Sequence, residues 1–211
     1  MICTSLGNIG FDEALRCAAA NDLIEIRADL LNFSNEQYHS LFKQKAGIVF
    51  TCRKDNTNEE IRRSLFRMAV ENGAKYIDLE IESAGSDLEW VKGLCSETGT
   101  ELIISYHNYQ ETPAENELIS ILKECYRLGA DVAKIATMVN TDGDMVKLLS
   151  LYRKQGRKVV IGMGEKGILT RVAALGMGAE FSFAAPDNAG GTAPGQLSLS
   201  AMNEIRKLLK F

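Results

Sequence analysis

Short apolar runs return along this chain at almost even intervals, and that regularity limits the folds open to it. The runs are MICTS (1–5), LIEIR (23–27), IVFTC (48–52), YIDLE (76–80), LIISY (102–106), VAKIA (132–136), VVIG (159–162) and FSF (181–183). Their centres lie roughly 22 to 31 residues apart, which is room for one strand, a loop and one helix. The segments between them read as helices. In residues 112–128, Thr112 is the expected N-cap, Pro113 the first helical residue and Glu115 the partner of a capping box. Leu118, Ile121, Leu122 and Cys125 then recur at helical spacing, and Gly129 suits the C-terminal cap. Ser34 with Gln37 forms a second capping box, and Leu197, Leu199, Met202, Ile205 and Leu209 mark a last helix. No linker or low-complexity stretch interrupts the pattern, so residues 1–211 are expected to form a single domain.

Two α/β architectures satisfy eight strand–helix units: an open doubly wound sheet and a closed (β/α)8 TIM barrel. Successive side chains of a strand face opposite ways. Glu25 and Arg27 therefore oppose Ile24 and Ile26, Asp78 and Glu80 oppose Ile77 and Leu79, and Ser105 and His107 oppose Ile104 and Tyr106. Lys134 opposes Ala133 and Ile135. One face is apolar and suits helices; the other is polar. A parallel sheet covered on both faces is apolar on both. A barrel with an active site at the carboxyl ends of its strands needs a polar interior there. The reading is a (β/α)8 barrel, at the short end of its size range.

The net charge of −4 argues against nucleic acid as the main partner. No apolar run approaches the roughly 18 residues of a membrane span, and MICTSLGN has neither the basic region nor the apolar stretch of a secretory signal. The five cysteines (Cys3, Cys17, Cys52, Cys95, Cys125) are scattered with no CxxC pair, as expected of free, mostly buried thiols in a reducing cytoplasm. With only His39 and His107 to help them, a zinc site is not expected. His39, in NEQYHSLF, reads as a helix residue without chemical work.

Glu25, Arg27, Arg53, Glu80, His107 and Lys134 fall at or near the ends of runs two to six, which a barrel converges on one mouth. An ion-pair network explains one such pair; six groups of both signs aimed at one point suggest a site. Lys134 sits mid-strand, where a neutral amine is able to attack a carbonyl and form a Schiff base. Pairing with Glu25 or Glu80 is the competing explanation. His107 closes a strand and suits proton transfer, with Glu80 as its expected orienting partner. Arg171, in GILTR, is a candidate carboxylate clamp. The loop NAGGTAPGQ (188–196) offers Thr192 and Gln196 as neutral hydrogen-bonding groups, either as an anion site or as a flexible turn. The string GMGEKG (162–167) matches GxGxxG, but it comes late in the chain and lacks the downstream acidic residue of a dinucleotide site.

With these residues in hand, the chain resembles the type I 3-dehydroquinate dehydratases, the Schiff-base class. The matching segments run in order through the whole sequence: EIRAD (25–29), TCR (51–53), IDLE (77–80), SYHN (105–108), KIA (134–136), GILTR (167–171) and TAPGQ (192–196). The resemblance implies a homodimeric (β/α)8 barrel of the cytoplasm, without metal or organic cofactor. Its small-molecule substrate is 3-dehydroquinate, which it converts to 3-dehydroshikimate and water, the third step towards chorismate and the aromatic amino acids. Lys134 matches the imine-forming lysine, His107 the general acid–base and Glu80 the carboxylate that holds it. Ser5, Glu25, Arg27, Arg53, Arg171, Thr192 and Gln196 match substrate-binding positions. The chain departs from larger members after Arg53, where Thr57 stands in place of a glutamate in the short loop KDNTNEE. Another Schiff-base barrel, a class I aldolase or transaldolase, and a non-catalytic binder of small anions are the alternatives.

Overall fold

Alternation along each strand sorts its side chains into two environments. The computed structural model describes residues 1–54, 57–83, 85 and 87–210. The strands are β1 (Ile2–Leu6), β2 (Leu23–Arg27), β3 (Gly47–Thr51), β4 (Tyr76–Glu80), β5 (Glu101–Asn108), β6 (Val132–Met138), β7 (Lys158–Met163) and β8 (Ser182–Ala184). The helices that follow them are α1 (Phe11–Ala20), α2 (Asn35–Phe42), α3 (Glu59–Glu71), α4 (Leu88–Thr98), α5 (Glu115–Arg127), α6 (Asp142–Ser150), α7 (Ile168–Gly176) and α8 (Leu199–Leu209). All strand pairs are parallel, in the order β7-β6-β5-β4-β3-β2-β1-β8. Between the two ends of that order, Glu180 N–H donates to the Lys158 carbonyl at 3.0 Å and Gly164 N–H to that of Pro194 at 3.3 Å. The sheet is thus a nearly closed (β/α)8 barrel, as the polar face of the strands predicted.

The outward residues Ile24, Ile26, Ile48, Phe50, Ile77, Leu79, Ile104 and Ile135 pack against the helices in the main apolar core. Burying each such side chain stabilises the fold by about 1.5–3 kcal/mol. Inside the barrel, Cys3, Leu23, Val49, Tyr76, Ile103, Val132 and Val159, one from each of β1 to β7, form an apolar floor with Phe181, which immediately precedes β8. Below it, Tyr76 O–H donates to Glu180 at 2.8 Å, and Arg157 pairs with both Glu180 and Glu101. This floor is a stability feature; side chains above it are free for chemistry.

Some local sequence signals hold in the fold and others yield to tertiary partners. Ser34 and Gln37 form the expected capping box on α2. Gly129 follows the end of α5 with φ of 99°, a conformation that glycine adopts without strain. Thr112, however, does not cap α5. The helix begins at Glu115 after Ala114, while the Thr112 hydroxyl bonds Thr137 Oγ1 at 2.8 Å and donates to the Met138 carbonyl at 2.7 Å. A buried bond to β6 wins over a solvent-exposed cap. Leu197 likewise precedes α8, whose N-cap is Ser198; the Leu197 carbonyl accepts from Ala185 N–H at 2.8 Å. The five cysteines are free, and four are buried. Among the described residues no helix is long and apolar enough to cross a membrane.

Candidate active site

Above the apolar floor, the next inward residues are Ser5 on β1, Glu25 on β2, Thr51 on β3, Asp78 on β4, Ser105 on β5 and Lys134 on β6, all buried. Lys134 is only 4% exposed. Its ammonium donates to Asp78 Oδ2 at 2.7 Å, lies 3.8 Å from Glu25 Oε1 and stands 4.6 Å from the centre of the Phe183 ring. Of the two partners the sequence suggests, Glu25 is within ion-pair distance and Glu80 is not, while the hydrogen-bonded partner is Asp78. The backbone register sets Glu80 beside Ser105, and Ser105 beside Lys134. Barrel strands tilt, however, so the side chain of β4 at the height of Lys134 is the one two positions earlier.

Asp78 also accepts from Ser105 Oγ at 2.6 Å and from Arg53 at 3.0 and 3.3 Å. Burial alone works against its charge, but Arg53 and Lys134 overcome that and hold its carboxyl well below the usual carboxylate range. Burial likewise opposes the charge on Arg53, and Asp78, Glu80 and Glu25 more than offset it. Glu25 is fixed from both sides: Ser5 Oγ donates to one carboxylate oxygen and Thr51 Oγ1 to the other at 2.9 Å. Arg27 forms a bidentate pair with Asp29 at 2.9 and 2.7 Å.

His107, at the end of β5, places Nε2 at 3.4 Å from Arg53 Nη2, and its ring stacks on Tyr109 with centroids 6.1 Å apart. Burial, Arg53 and Lys134 all discourage a second proton, so its pKa falls well below the usual histidine value and the imidazole is neutral near pH 7. Among the described residues, no hydrogen bond joins Glu80 to His107. The Glu80 carboxylate lies 3.2 Å from Arg62 Nη2 and 3.9 Å from Arg53 Nη1, and burial pushes its carboxyl up. Nothing in the strand pattern points to Arg62. It is buried on α3, donating to the Cys52 carbonyl at 2.8 Å and to Asp87 at 2.7 Å, and α3 thereby delivers a cation that no strand pattern announces.

Arg171 arrives from the first turns of α7 rather than from a strand. It is 1% exposed, Nη2 donates to the Pro194 carbonyl at 3.1 Å, and Nε has no hydrogen-bond partner. Among the described residues no carboxylate lies within ion-pair distance of Arg171. Burial pulls its pKa down to about 10. An unpaired guanidinium in a dry site is costly, and an entering anion offsets that cost.

The loop after β8 crosses the mouth. Thr192 N–H donates to Gln196 Oε1 at 2.7 Å, and the hydroxyls of Thr192 and Ser5 are 2.6 Å apart. The GMGEKG string serves this closure. A Cβ on Gly167 would lie 2.4 Å from the Gly162 carbonyl, and one on Gly195 would lie 2.4 Å from the Gly164 oxygen. Its glycines let the β7 turn and the β8 loop touch, which explains the motif without a dinucleotide. Asp55 and Asn56, in the short loop after Arg53, lie outside the described residues; Thr57 Oγ1 accepts from Cys52 Sγ at 3.4 Å.

One cavity thus exposes a lysine amine, a neutral imidazole and an unpaired arginine, with Glu25, Arg27, Arg53, Thr192 and Gln196 also on its wall. Ser5 stands behind Thr192, and Glu80 lines an outer recess beside Arg53 and His107. Such a set suits covalent attack on a carbonyl and proton transfer beside it, in a molecule that carries a negative group.

Known proteins resemble this chain in sequence and in fold. The family described as "Type I 3-dehydroquinase" matches residues 8–210. The 3-dehydroquinate dehydratase of Methanococcus maripaludis strain C5 is 33% identical, with all of both chains covered. That of Methanocaldococcus jannaschii is 33% identical over 99% of each chain. The crystal structure of 3-dehydroquinate dehydratase from Aquifex aeolicus VF5 superposes with a TM-score of 0.86 at 29% identity, covering 99% of this chain and 98% of that one.

Proposed function

The chain belongs to the type I 3-dehydroquinase family, and from that premise we propose that it is a hydro-lyase converting 3-dehydroquinate to 3-dehydroshikimate and water through an imine on Lys134. The observation that carries this reading is the opening of Lys134, His107 and the unpaired Arg171 on one cavity.

The substrate carboxylate takes the free Nε side of the Arg171 guanidinium. The ketone then faces Lys134. The Lys134 ammonium passes one proton to the neutral His107 imidazole, the freed amine adds to the carbonyl carbon, and His107 returns that proton as the carbonyl oxygen leaves as water, giving a cationic iminium that keeps one N–H. The proton on the neighbouring carbon becomes acidic, because the C–H electron pair flows into the iminium and leaves a neutral enamine. His107 takes that proton; its unprotonated imidazole is the form a base requires. The enamine pair then expels the hydroxyl on the next carbon, His107 returns its proton to that oxygen, and water departs. A second water hydrolyses the product iminium and restores the amine. Glu80 acts on His107 only through Arg53, which lies near both. In the cell the reaction belongs to the cytoplasmic route to chorismate, and the active form is a homodimer.

The direct experiment offers the purified protein 3-dehydroquinate and follows the conjugated enone by its absorbance. Steady growth of the band supports the reading. Cleavage of a sugar phosphate with no enone from 3-dehydroquinate overturns it in favour of an aldolase.

The same proposal predicts a division of labour. Arg171→Ala raises KM by about 10–200-fold, since a charge-assisted pair in a dry site is worth about 1.5–3 kcal/mol, while kcat changes less. An unchanged KM places the carboxylate elsewhere.

A further inference from the structure

We propose that Asp78 is a positioning residue for the imine chemistry: it holds the Lys134 nitrogen in place before the ketone arrives and is the counter-ion of the iminium afterwards. This inference rests on the imine reading above and extends it to a residue that the sequence reading left out of the site.

Asp78 is fully buried on β4, one strand removed from Lys134 on β6. Its two oxygens divide four contacts. Oδ2 meets Lys134 Nζ at 2.7 Å and Arg53 Nη2 at 3.3 Å; Oδ1 meets Ser105 Oγ at 2.6 Å and Arg53 Nη1 at 3.0 Å. The carboxylate is thus fixed by β5 and by Arg53, and it aims one oxygen at the reacting nitrogen. Glu25, the other nearby anion, is a weaker candidate. It lies 3.8 Å from the amine, and both its oxygens already accept from Ser5 and Thr51.

The chemistry explains why a fixed anion is useful there. The ammonium nitrogen begins with three hydrogens, and one passes to the His107 imidazole to free the lone pair. The nitrogen then bonds to carbon, the carbonyl oxygen leaves as water with one hydrogen from the nitrogen and one returned by His107, and the iminium nitrogen retains one N–H and the positive charge. That N–H replaces the ammonium as the donor to Asp78. Arg27, Arg53 and Arg171 line the same cavity and favour loss of the iminium proton. A neutral imine is a poorer electron sink than an iminium. An adjacent anion keeps the nitrogen protonated until His107 has removed the carbon-bound proton.

The test compares wild type with Asp78→Asn, which removes the charge and nearly conserves the shape. Borohydride is added during turnover, and intact mass distinguishes a substrate-derived adduct on Lys134 from a product-derived one, which is lighter by one water. Wild type must first turn over and trap. If it dehydrates 3-dehydroquinate without trapping, the imine reading itself fails. Given trapping in wild type, Asp78→Asn is expected to lower kcat about 10²–10³-fold, the scale of removing a preorganised electrostatic partner. It still traps, and the adduct shifts to the substrate-derived species, because imine forms but proton removal is slow. A kcat within about threefold of wild type overturns the proposal. So does an unchanged ratio of the two adducts. Should Asp78→Asn fail to fold, Ser105→Ala decides, since it removes one donor to Asp78 and leaves the charge in place. A fall in kcat of about tenfold with the same shift of adduct supports the role, and wild-type kcat and adduct ratio refute it.

Discussion

Lys134→Ala is expected to lower kcat for dehydration of 3-dehydroquinate by on the order of 10⁵-fold or more, the scale on which loss of a covalent nucleophile slows an enzyme. A proton beside an unmodified ketone is weakly acidic. With the lysine gone, His107 still stands at the strand end, but general acid–base catalysis alone contributes about 10²–10⁴-fold. Binding survives better than turnover, because Arg171, Thr192 and Gln196 are untouched. The variant should also fold. Asp78 keeps Ser105 and Arg53 as donors, and Glu25 keeps Ser5 and Thr51, so neither carboxylate is stranded. Stopped-time product analysis, with circular dichroism as the folding control, measures both. Turnover within about tenfold of wild type would show that the covalent step is not required.

His107→Ala carries the second large effect: a fall in kcat of about 10²–10⁴-fold with the imine still formed. The two losses separate the covalent step from proton transfer. Near wild-type turnover removes His107 from the role. The pH dependence follows from the same environment. Burial, Arg53 and Lys134 lower the His107 pKa from 6.5, and the iminium preserves the positive charge at position 134. The base is therefore still unprotonated when pH falls to 6.5, and kcat should decline only at lower pH. A kcat that halves at pH 6.5 or above argues for an unperturbed imidazole. Stability has the same sign. Below pH 6.5 the unfolded chain takes up a proton that the folded His107 refuses, so His107 makes the fold less stable as pH drops.

The barrel was legible because strand parity is a local property. Glu25, Arg27, His107 and Lys134 each sit beside apolar neighbours of opposite parity, and that alone pointed them into the interior. What parity does not contain is height. Asp78 and Glu80 share a face of YIDLE, and only the tilt of the closed barrel decides that Asp78, rather than Glu80, meets Lys134. Glu80 instead meets Arg62, whose place depends on how α3 packs. Thr112 shows the same limit at short range: its cap signal was sound, and a partner 26 residues later, at Met138, outcompeted it. Arg171 was identified as a clamp through its residue type, but its isolation from every described carboxylate is a three-dimensional fact.

Borohydride trapping with peptide mapping tests the central claim most directly. Reduction in the presence of 3-dehydroquinate should add one ligand mass to the peptide containing Lys134, with loss of activity in proportion, and none in its absence. A protein that forms the enone yet remains unlabelled, or is labelled at another lysine, contradicts the account.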